Sequence, residues 1–389
     1  MKMKIGIIGP CPPPHGGVTR VIENNAHFWK EEGIESYLIP MGIPENPTPS
    51  PELELVDYRK YSFSKDKVFT FMKEALRFPG LYSYSFFRYN TALYNIIKEF
   101  DIDILYAHHT FHRGLSAVLQ SKLLNIPAVV VSYGQTWMVT ESDKKHCRMQ
   151  KFVLENADHV ISTSEHCRQG AIKLGADPSK ADVVYAGIDI EKFNPNVDGT
   201  EFRKKHEIGN DEIVVSLLGL VLKRKIDTFI KSLVHLNSKP EKDVKVIIGG
   251  VGEDYSYLES MLQKYDLQSV KLLGFVPDAE LPQFYAATDI FVVAQSTLIE
   301  CMGQSMKEAM ACGVPVVGSN IGGVPEAIID GETGLLFEAD DPEDLAKKIK
   351  ILIDDKDLRE RIGINAREPA VEKFDARNSA KKTLKIFEG

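Results

Sequence analysis

Cysteine is scarce in this 389-residue chain. There are five (Cys11, Cys147, Cys167, Cys301 and Cys312), odd in number and without a CxxC pair. The pattern argues against a disulfide framework or a zinc site and reads as reduced thiols in a cytoplasmic protein. Long apolar runs are also missing, and nothing approaches the roughly 20 residues of a membrane span. The basic then apolar start, Met1 to Gly9, meets Gly9-Pro10 too early for a signal peptide. Positive charge is in deficit: the formal net charge of −8 argues against a general nucleic-acid binder. A protein that is soluble or lies on a membrane surface is expected.

What is present is alternation. Short apolar runs, each followed by an amphipathic segment, argue for parallel α/β units. Strands are expected in the first half at Lys4–Gly9, Ser36–Pro40, Ile104–Ala107, Ala128–Ser132, His159–Ser162 and Asp182–Tyr185. The pattern restarts at Ile213–Gly219 and continues at Lys245–Gly249, Val270–Leu273, Ile290–Val293 and Val314–Gly318. Each half opens with an apolar strand ending in glycine, as two Rossmann-like domains would. The turn-rich stretch from Phe193 to Gly199 marks the boundary. The expected division is 1–195, 196–372 and a terminal helix at 373–389.

Glu300-Cys301-Met302-Gly303-Gln304-Ser305-Met306-Lys307-Glu308 carries the sharpest chemical signal. Glu300 follows a strand, and Glu308 lies on the next helix, read over Ser305 to Cys312 and closed by Gly313. The free amides near Gly303, Gln304 and Ser305 favour an anion such as phosphate. A carboxylate beside that anion would repel it, so the glutamates suit neutral hydroxyls on either side. Glu308, about 7 Å along the helix, fits a ribose diol, and Glu300 fits a sugar. A nucleotide-sugar meets all three demands.

Two further loops follow strand ends. Pro12-Pro13-Pro14-His15-Gly16-Gly17 is a stiff loop whose Gly16 and Gly17 let backbone amides approach a ligand. It is not a dinucleotide fingerprint, because G-x-G-x-x-G spacing is missing and no acidic residue ends the second strand. After Gly219 come Lys223, Arg224 and Lys225, cations able to neutralise a diphosphate leaving group. Asp101-Ile102-Asp103 precedes its strand and reads as a polar turn, not a metal motif. His108, His109 and His112 have no carboxylate or cysteine cluster to complete a metal site.

The ordered run from Glu300 through Ala309-Met310-Ala311-Cys312-Gly313, Gly322-Gly323-Val324-Pro325-Glu326 and Asp330-Gly331-Glu332-Thr333-Gly334 resembles the donor-binding region of family 4 retaining glycosyltransferases. The resemblance extends over nearly the whole chain, strongest from Gly274 to Phe337. It implies the GT-B fold: two Rossmann-like domains facing each other across a cleft, with a terminal helix crossing back to the first. It implies a nucleotide-sugar donor, a hydroxyl acceptor and no metal. Glu300, His109 and Tyr133 would then contact the transferred sugar. Gly16, Gly17, Gly219, Arg224, Lys225, Gly303, Gln304, Ser305 and Glu308 would hold the nucleotide and its phosphates, and the loop at Phe275 and Val276 the base.

The chain departs from the family pattern at three places. Leu220 stands where Arg usually follows the glycine, Tyr133 where many relatives carry His, and Ala186 where Asn usually precedes Gly187. Residues 57–100 hold 13 aromatics in 44 positions and a net charge of +4 within an acidic chain. Such a stretch is a candidate for peripheral contact with the cytoplasmic face of a membrane, or for a lipid-linked acceptor, against a plain packing role. The expected function is sugar transfer from a nucleotide donor to a hydroxyl, such as a lipid-linked or cell-surface glycan precursor. The alternatives are a nucleotide-sugar epimerase or phosphorylase of the same fold, or a non-catalytic binding partner.

Overall fold

A computed structural model describes residues 2–13, 16–62, 84–134, 144–219, 222–236, 243–267, 269–296 and 302–389, with the backbone alone at 144–145 and 223–225. The chain forms two compact units, Met1–Gly187 with Ala376–Gly389, and Ile188–Asp375.

In the first unit β1 (Lys4–Ile8), β2 (Glu35–Leu38), β3 (Glu54–Leu55), β4 (Ile104–His108), β5 (Ala128–Ser132), β6 (His159–Ser162) and β7 (Ala181–Val183) form a parallel sheet ordered β3-β2-β1-β4-β5-β6-β7. Strands covered on both faces must be apolar throughout, which is why β5 reads Ala-Val-Val-Val-Ser and is wholly buried. One face packs Leu93, Leu115 and Val153 against Leu105 and Val130. The other packs Ile22 and Trp29 of the helix Gly17–Glu31, together with Leu384 of the helix Ala376–Glu388, against Ile5, Ile7 and Tyr106. The Trp29 indole N–H donates to the Ala380 carbonyl at 3.1 Å. The rings of Trp29 and Tyr106 meet Phe387 edge-on at 5.5 and 5.3 Å. A Cβ on Gly187 would fall 2.4 Å from the Ala376 Cα, so only glycine permits that approach.

In the second unit β8 (Ile213–Leu218), β9 (Val244–Gly249), β10 (Lys271–Gly274), β11 (Ile290–Val293), β12 (Val316–Ser319) and β13 (Leu335–Phe337) are ordered β10-β9-β8-β11-β12-β13, again parallel. Its core gathers Val215, Phe229, Ile248, Val292, Val317 and Leu352. In both sheets the strand order reverses beside the first strand of the unit, at β1/β4 and β8/β11. Ligands of open α/β sheets bind outside the carboxyl ends of strands at such a point.

The division between units falls at Gly187/Ile188 and Asp375/Ala376, not after 195 and 372. The reason is packing: residues 188–195 are tied to the second unit. Phe193 meets Tyr285 edge-on at 5.8 Å. The half-buried Arg367 guanidinium donates to the carbonyls of Phe193 at 2.7 Å, Ala311 at 2.5 Å and Ile190 at 3.3 Å. Cys11, Cys147 and Cys312 are free thiols. Cys167 is buried.

Lys307, 1% exposed, lies 5.5 Å from the centroid of the Phe374 ring. Burial pulls its pKa from 10.5 down to about 7, with the neighbouring Glu308 carboxylate opposing the shift. Between those two values the unfolded chain holds one more proton than the folded chain, so stability from this group rises with pH across that window. Below pH 7 both states are protonated and the full cost of burying the charge is present.

Two outcomes are expected from urea unfolding. Arg367→Ala should destabilise the second unit by about 2 kcal/mol, because three carbonyls lose one donor group; an unchanged midpoint would contradict the anchoring role. Lys307→Met should stabilise the chain more at pH 6 than at pH 9. An equal gain at both pH values would show that the ammonium is not the group that titrates.

Candidate functional site

The carboxyl ends of β8, β9 and β10 in the second unit converge on three glycines with positive φ. These are Gly219 (+152°), Gly250 (+131°) and Gly274 (+65°). The Gly219 amide donates to the Gly249 carbonyl at 3.1 Å, and the Gly250 amide to the Gly274 carbonyl at 2.6 Å. A Cβ on Gly250 would sit 1.8 Å from the Gly219 oxygen, so glycine is obligatory there. Gly250 was not among the expected site residues. Its signal was the pair Gly249-Gly250 closing an apolar strand. The turn keeps side chains away from the backbone ahead of the helix Lys223–Leu236, which carries Arg224 and Lys225 in its first turn. The side chains of those two cations lie outside the described residues.

At the carboxyl end of β11 the chain leads to the helix Gln304–Ala311. Gly303 is its N-cap, with extended backbone and no side-chain cap. Among the described residues a Cβ built on Gly303 meets only the Ser305 hydroxyl, at 3.8 Å. Amide donors near a helix start with no side-chain cap suit an anion. Glu308, further along the same helix, is 2% exposed, and the Tyr285 hydroxyl donates to its Oε2 at 2.7 Å. Tyr285 is itself fully buried and packed edge-on against Phe284, Phe291 and Phe193. The bond to Tyr285 fixes the direction of the carboxylate. Glu300 lies outside the described residues.

Phe275 is 63% exposed, whereas Val276 is buried. Both line an open pocket of about 220 Å³ with Phe202, Lys205, His206 and Glu280. The Lys205 ammonium pairs with the Glu280 carboxylate at 2.7 Å on its wall. The ring of Phe202 lies 4.3 Å from that of His206.

In the first unit, Gly16 caps the helix Gly17–Glu31, and, its chain neighbours aside, no described residue lies within 4 Å of where its Cβ would stand. Its amide is already committed, donating to the Thr19 hydroxyl at 2.6 Å, while that hydroxyl donates back to the Gly16 carbonyl at 2.7 Å. The expectation that Gly16 and Gly17 both offer amides is narrowed accordingly: Gly17 opens the helix, and Gly16 contributes clearance.

Across the switch point, His108 ends β4 and His109 follows it with φ of +84°, a strained value for a residue with a side chain. The strain is held by the His109 amide donating to the Val131 carbonyl and the Gly114 amide donating to the His109 carbonyl, both at 3.1 Å. The half-buried His109 ring lies 4.8 Å from Tyr133. Burial, with the Arg113 cation nearby, lowers its pKa to about 4, so the imidazole is neutral at neutral pH. Tyr133, just after β5, hydrogen-bonds His108 Nδ1 at 2.8 Å. It borders a water-sized void of about 10 Å³ at the ends of β5, β6 and β7, with Thr163, Tyr185, Ala186 and Gly187. Burial first, and the Tyr106 phenol second, raise the Tyr133 pKa well above 10, which keeps its proton in place.

Of the residues assigned to the transferred sugar, His109 and Tyr133 thus stand together, and Glu300 is undescribed. His108, read as following the strand Ile104–Ala107 and weighed only as a metal ligand, is instead the last residue of β4. Of the aromatic stretch at 57–100, residues 63–83 lie outside the described residues. Tyr84, at the start of the next helix, is 72% exposed. Among the described residues no helix is long and apolar enough to cross a membrane.

Comparison with known proteins matches this layout unit by unit. The family profile described as Glycosyltransferase Family 4 matches residues 15–192, and that described as Glycosyl transferases group 1 matches residues 198–369. An uncharacterized glycosyltransferase of Methanocaldococcus jannaschii is 25% identical over 100% of this chain and 98% of its own length. The N-acetyl-alpha-D-glucosaminyl L-malate synthase of Bacillus anthracis is 24% identical, over 96% of this chain and 93% of its own. Among solved structures, Anabaena HepE in complex with UDP-glucose superposes with a TM-score of 0.80 at 20% identity, covering 99% of both chains. The sucrose-phosphate synthase of Thermosynechococcus elongatus superposes with a TM-score of 0.79 at 19% identity, covering 100% of this chain and 98% of that one. With two parallel-sheet units, a terminal helix returned to the first, and family profiles matching each unit, the chain belongs to the family 4 glycosyltransferases of GT-B fold.

Proposed function

We propose that this glycosyltransferase moves a sugar from a nucleotide-sugar to a hydroxyl acceptor with retention of configuration at the anomeric carbon. The observation that carries the reading is the buried Glu308, oriented by Tyr285 behind the side-chain-free helix start at Gly303. A buried carboxylate is a hydrogen-bond acceptor and suits a diol, here the ribose hydroxyls. The amides at Gly303, Gln304 and Ser305 take the diphosphate, joined by Arg224 and Lys225 and by the clear backbone at Gly219. Glu300, His109 and Tyr133 take hydroxyls of the transferred sugar, and the Phe275–Val276 loop takes the base.

In the reaction the acceptor oxygen bonds to the anomeric carbon as the bond from that carbon to the diphosphate oxygen breaks. Attack comes on the face from which the diphosphate leaves, and the acceptor proton passes to the departing phosphate oxygen. Negative charge collects on the diphosphate, so prepositioned amides and cations stabilise the transition state more than the ground state. The reading calls for no metal. Its support includes the names of relatives: the B. anthracis protein makes an α-linked N-acetylglucosaminyl product, and an alpha-maltose-1-phosphate synthase of Mycolicibacterium smegmatis is 26% identical over 75% of this chain. UDP-glucose, the ligand in the HepE complex, is the first donor to try. A lipid-linked or cell-surface glycan precursor is the proposed acceptor class, with residues 57–100 as the contact to a cytoplasmic membrane face.

Glu308→Ala should weaken nucleotide binding about tenfold, measured by calorimetry, through loss of the ribose contact. Glu300→Ala should leave nucleotide affinity unchanged and lower kcat by roughly a hundredfold. Negligible effects of both substitutions would contradict the assignment. The anomeric coupling constant of the product, read by NMR, should match that of the donor; an inverted product would remove the retaining mechanism.

A further inference from the structure

His108, to which the sequence assigned no role, is fully buried and in contact with Tyr133. His108 Nδ1 lies 2.8 Å from the Tyr133 hydroxyl. The two rings stack with centroids 6.1 Å apart, and Tyr106 closes the imidazole edge-on at 4.5 Å. His108 Nε2 is buried and has no hydrogen-bond partner among the described residues. Burial, with His109 and Arg113 nearby, pushes the His108 pKa well below 6.5, so the ring carries a single proton.

That proton has two possible homes with unequal costs. On Nε2 it would be a buried N–H donor with no acceptor among the described residues, a costly arrangement for a protein interior. On Nδ1 it meets the Tyr133 oxygen, and the lone pair left on Nε2 is the cheaper group to leave unpaired. A phenol oxygen that accepts from Nδ1–H keeps its own O–H for another partner. Tyr133 directly follows β5, at the carboxyl edge of the sheet where a ligand is expected.

We propose that His108 is a positioning residue: it holds its proton on Nδ1, donates to the Tyr133 oxygen, and so sets Tyr133 as a hydrogen-bond donor toward a ligand oxygen. The ligand part rests on the proposed transfer reaction, with a hydroxyl of the transferred sugar as the oxygen that accepts. The pair thereby supplies from a tyrosine the neutral donor that many relatives, by the sequence resemblance, supply from a histidine at the same strand end. In the opposite tautomer Tyr133 would spend its only proton on His108 and present an acceptor instead.

The test is a long-range proton–nitrogen NMR correlation on the intact, nitrogen-15-labelled chain at neutral pH. The His108 signals are assigned by their loss in His108→Asn or, should that variant not fold, by the histidine perturbed in Tyr133→Phe. The proton should reside on Nδ1; a proton on Nε2, or on both nitrogens, would overturn the proposal whatever the enzyme does. For the ligand part, Tyr133→Phe should weaken binding of UDP-glucose roughly tenfold while leaving UDP unchanged. Equal effects on the two ligands, or none, would overturn that part. Failure of the parent chain to bind UDP or any other nucleoside diphosphate would count against the transfer reading and leave the tautomer result standing.

Discussion

A carboxylate taken out of water must be hydrogen-bonded or paired, and Glu308 satisfies that demand through Tyr285. The second unit is organised around this contact. Tyr285 is held by three aromatic neighbours. One of them, Phe193, belongs to the stretch that Arg367 fastens to Ala311, the last residue of the helix bearing Glu308. The same helix buries Lys307 on another side, against Phe374. Two ionisable groups inside a helix of eight residues make it rigid and costly at once. On the proposed reading the site holds a diol and an anion within a few ångströms, and fixed direction offsets that cost.

The first unit solves a different problem. Its candidate groups, His109 and Tyr133, are uncharged at neutral pH because burial opposes charge on both. Neutral donors and acceptors suit hydroxyls, whereas the fixed amides and cations of the other unit suit phosphate. On the proposed reading the chemistry divides along the chain: hydroxyl contacts in the first unit and at the two glutamates, charge neutralisation in the second.

Much of this layout was legible in the sequence. Parallel strands buried on both faces leave apolar runs that need no partner to be recognised, so β5, β6 and β11 fall where Ala128–Ser132, His159–Ser162 and Ile290–Val293 were read. Shorter strands escaped: Glu54–Leu55 has two residues and Leu335–Phe337 three, too few to show a period. The boundary was misplaced because composition marks a flexible-looking stretch but not what its aromatic packs on. Glu308 could be placed on its helix, yet its burial and its bond to Tyr285, 23 residues away, depend on tertiary structure. The His108–Tyr133 pair joins the ends of two neighbouring strands, a juxtaposition set by sheet order and not by local pattern.

The central claim is that the second unit holds a nucleoside diphosphate as part of a sugar donor. Its most direct test is a thermal-shift panel of UDP, GDP, ADP and CDP on the intact chain. A ligand at 100 times its dissociation constant adds about 2.7 kcal/mol of stability. One nucleotide should raise the melting temperature clearly above the others and thereby name the base. No shift with any of the four at millimolar concentration would contradict the account.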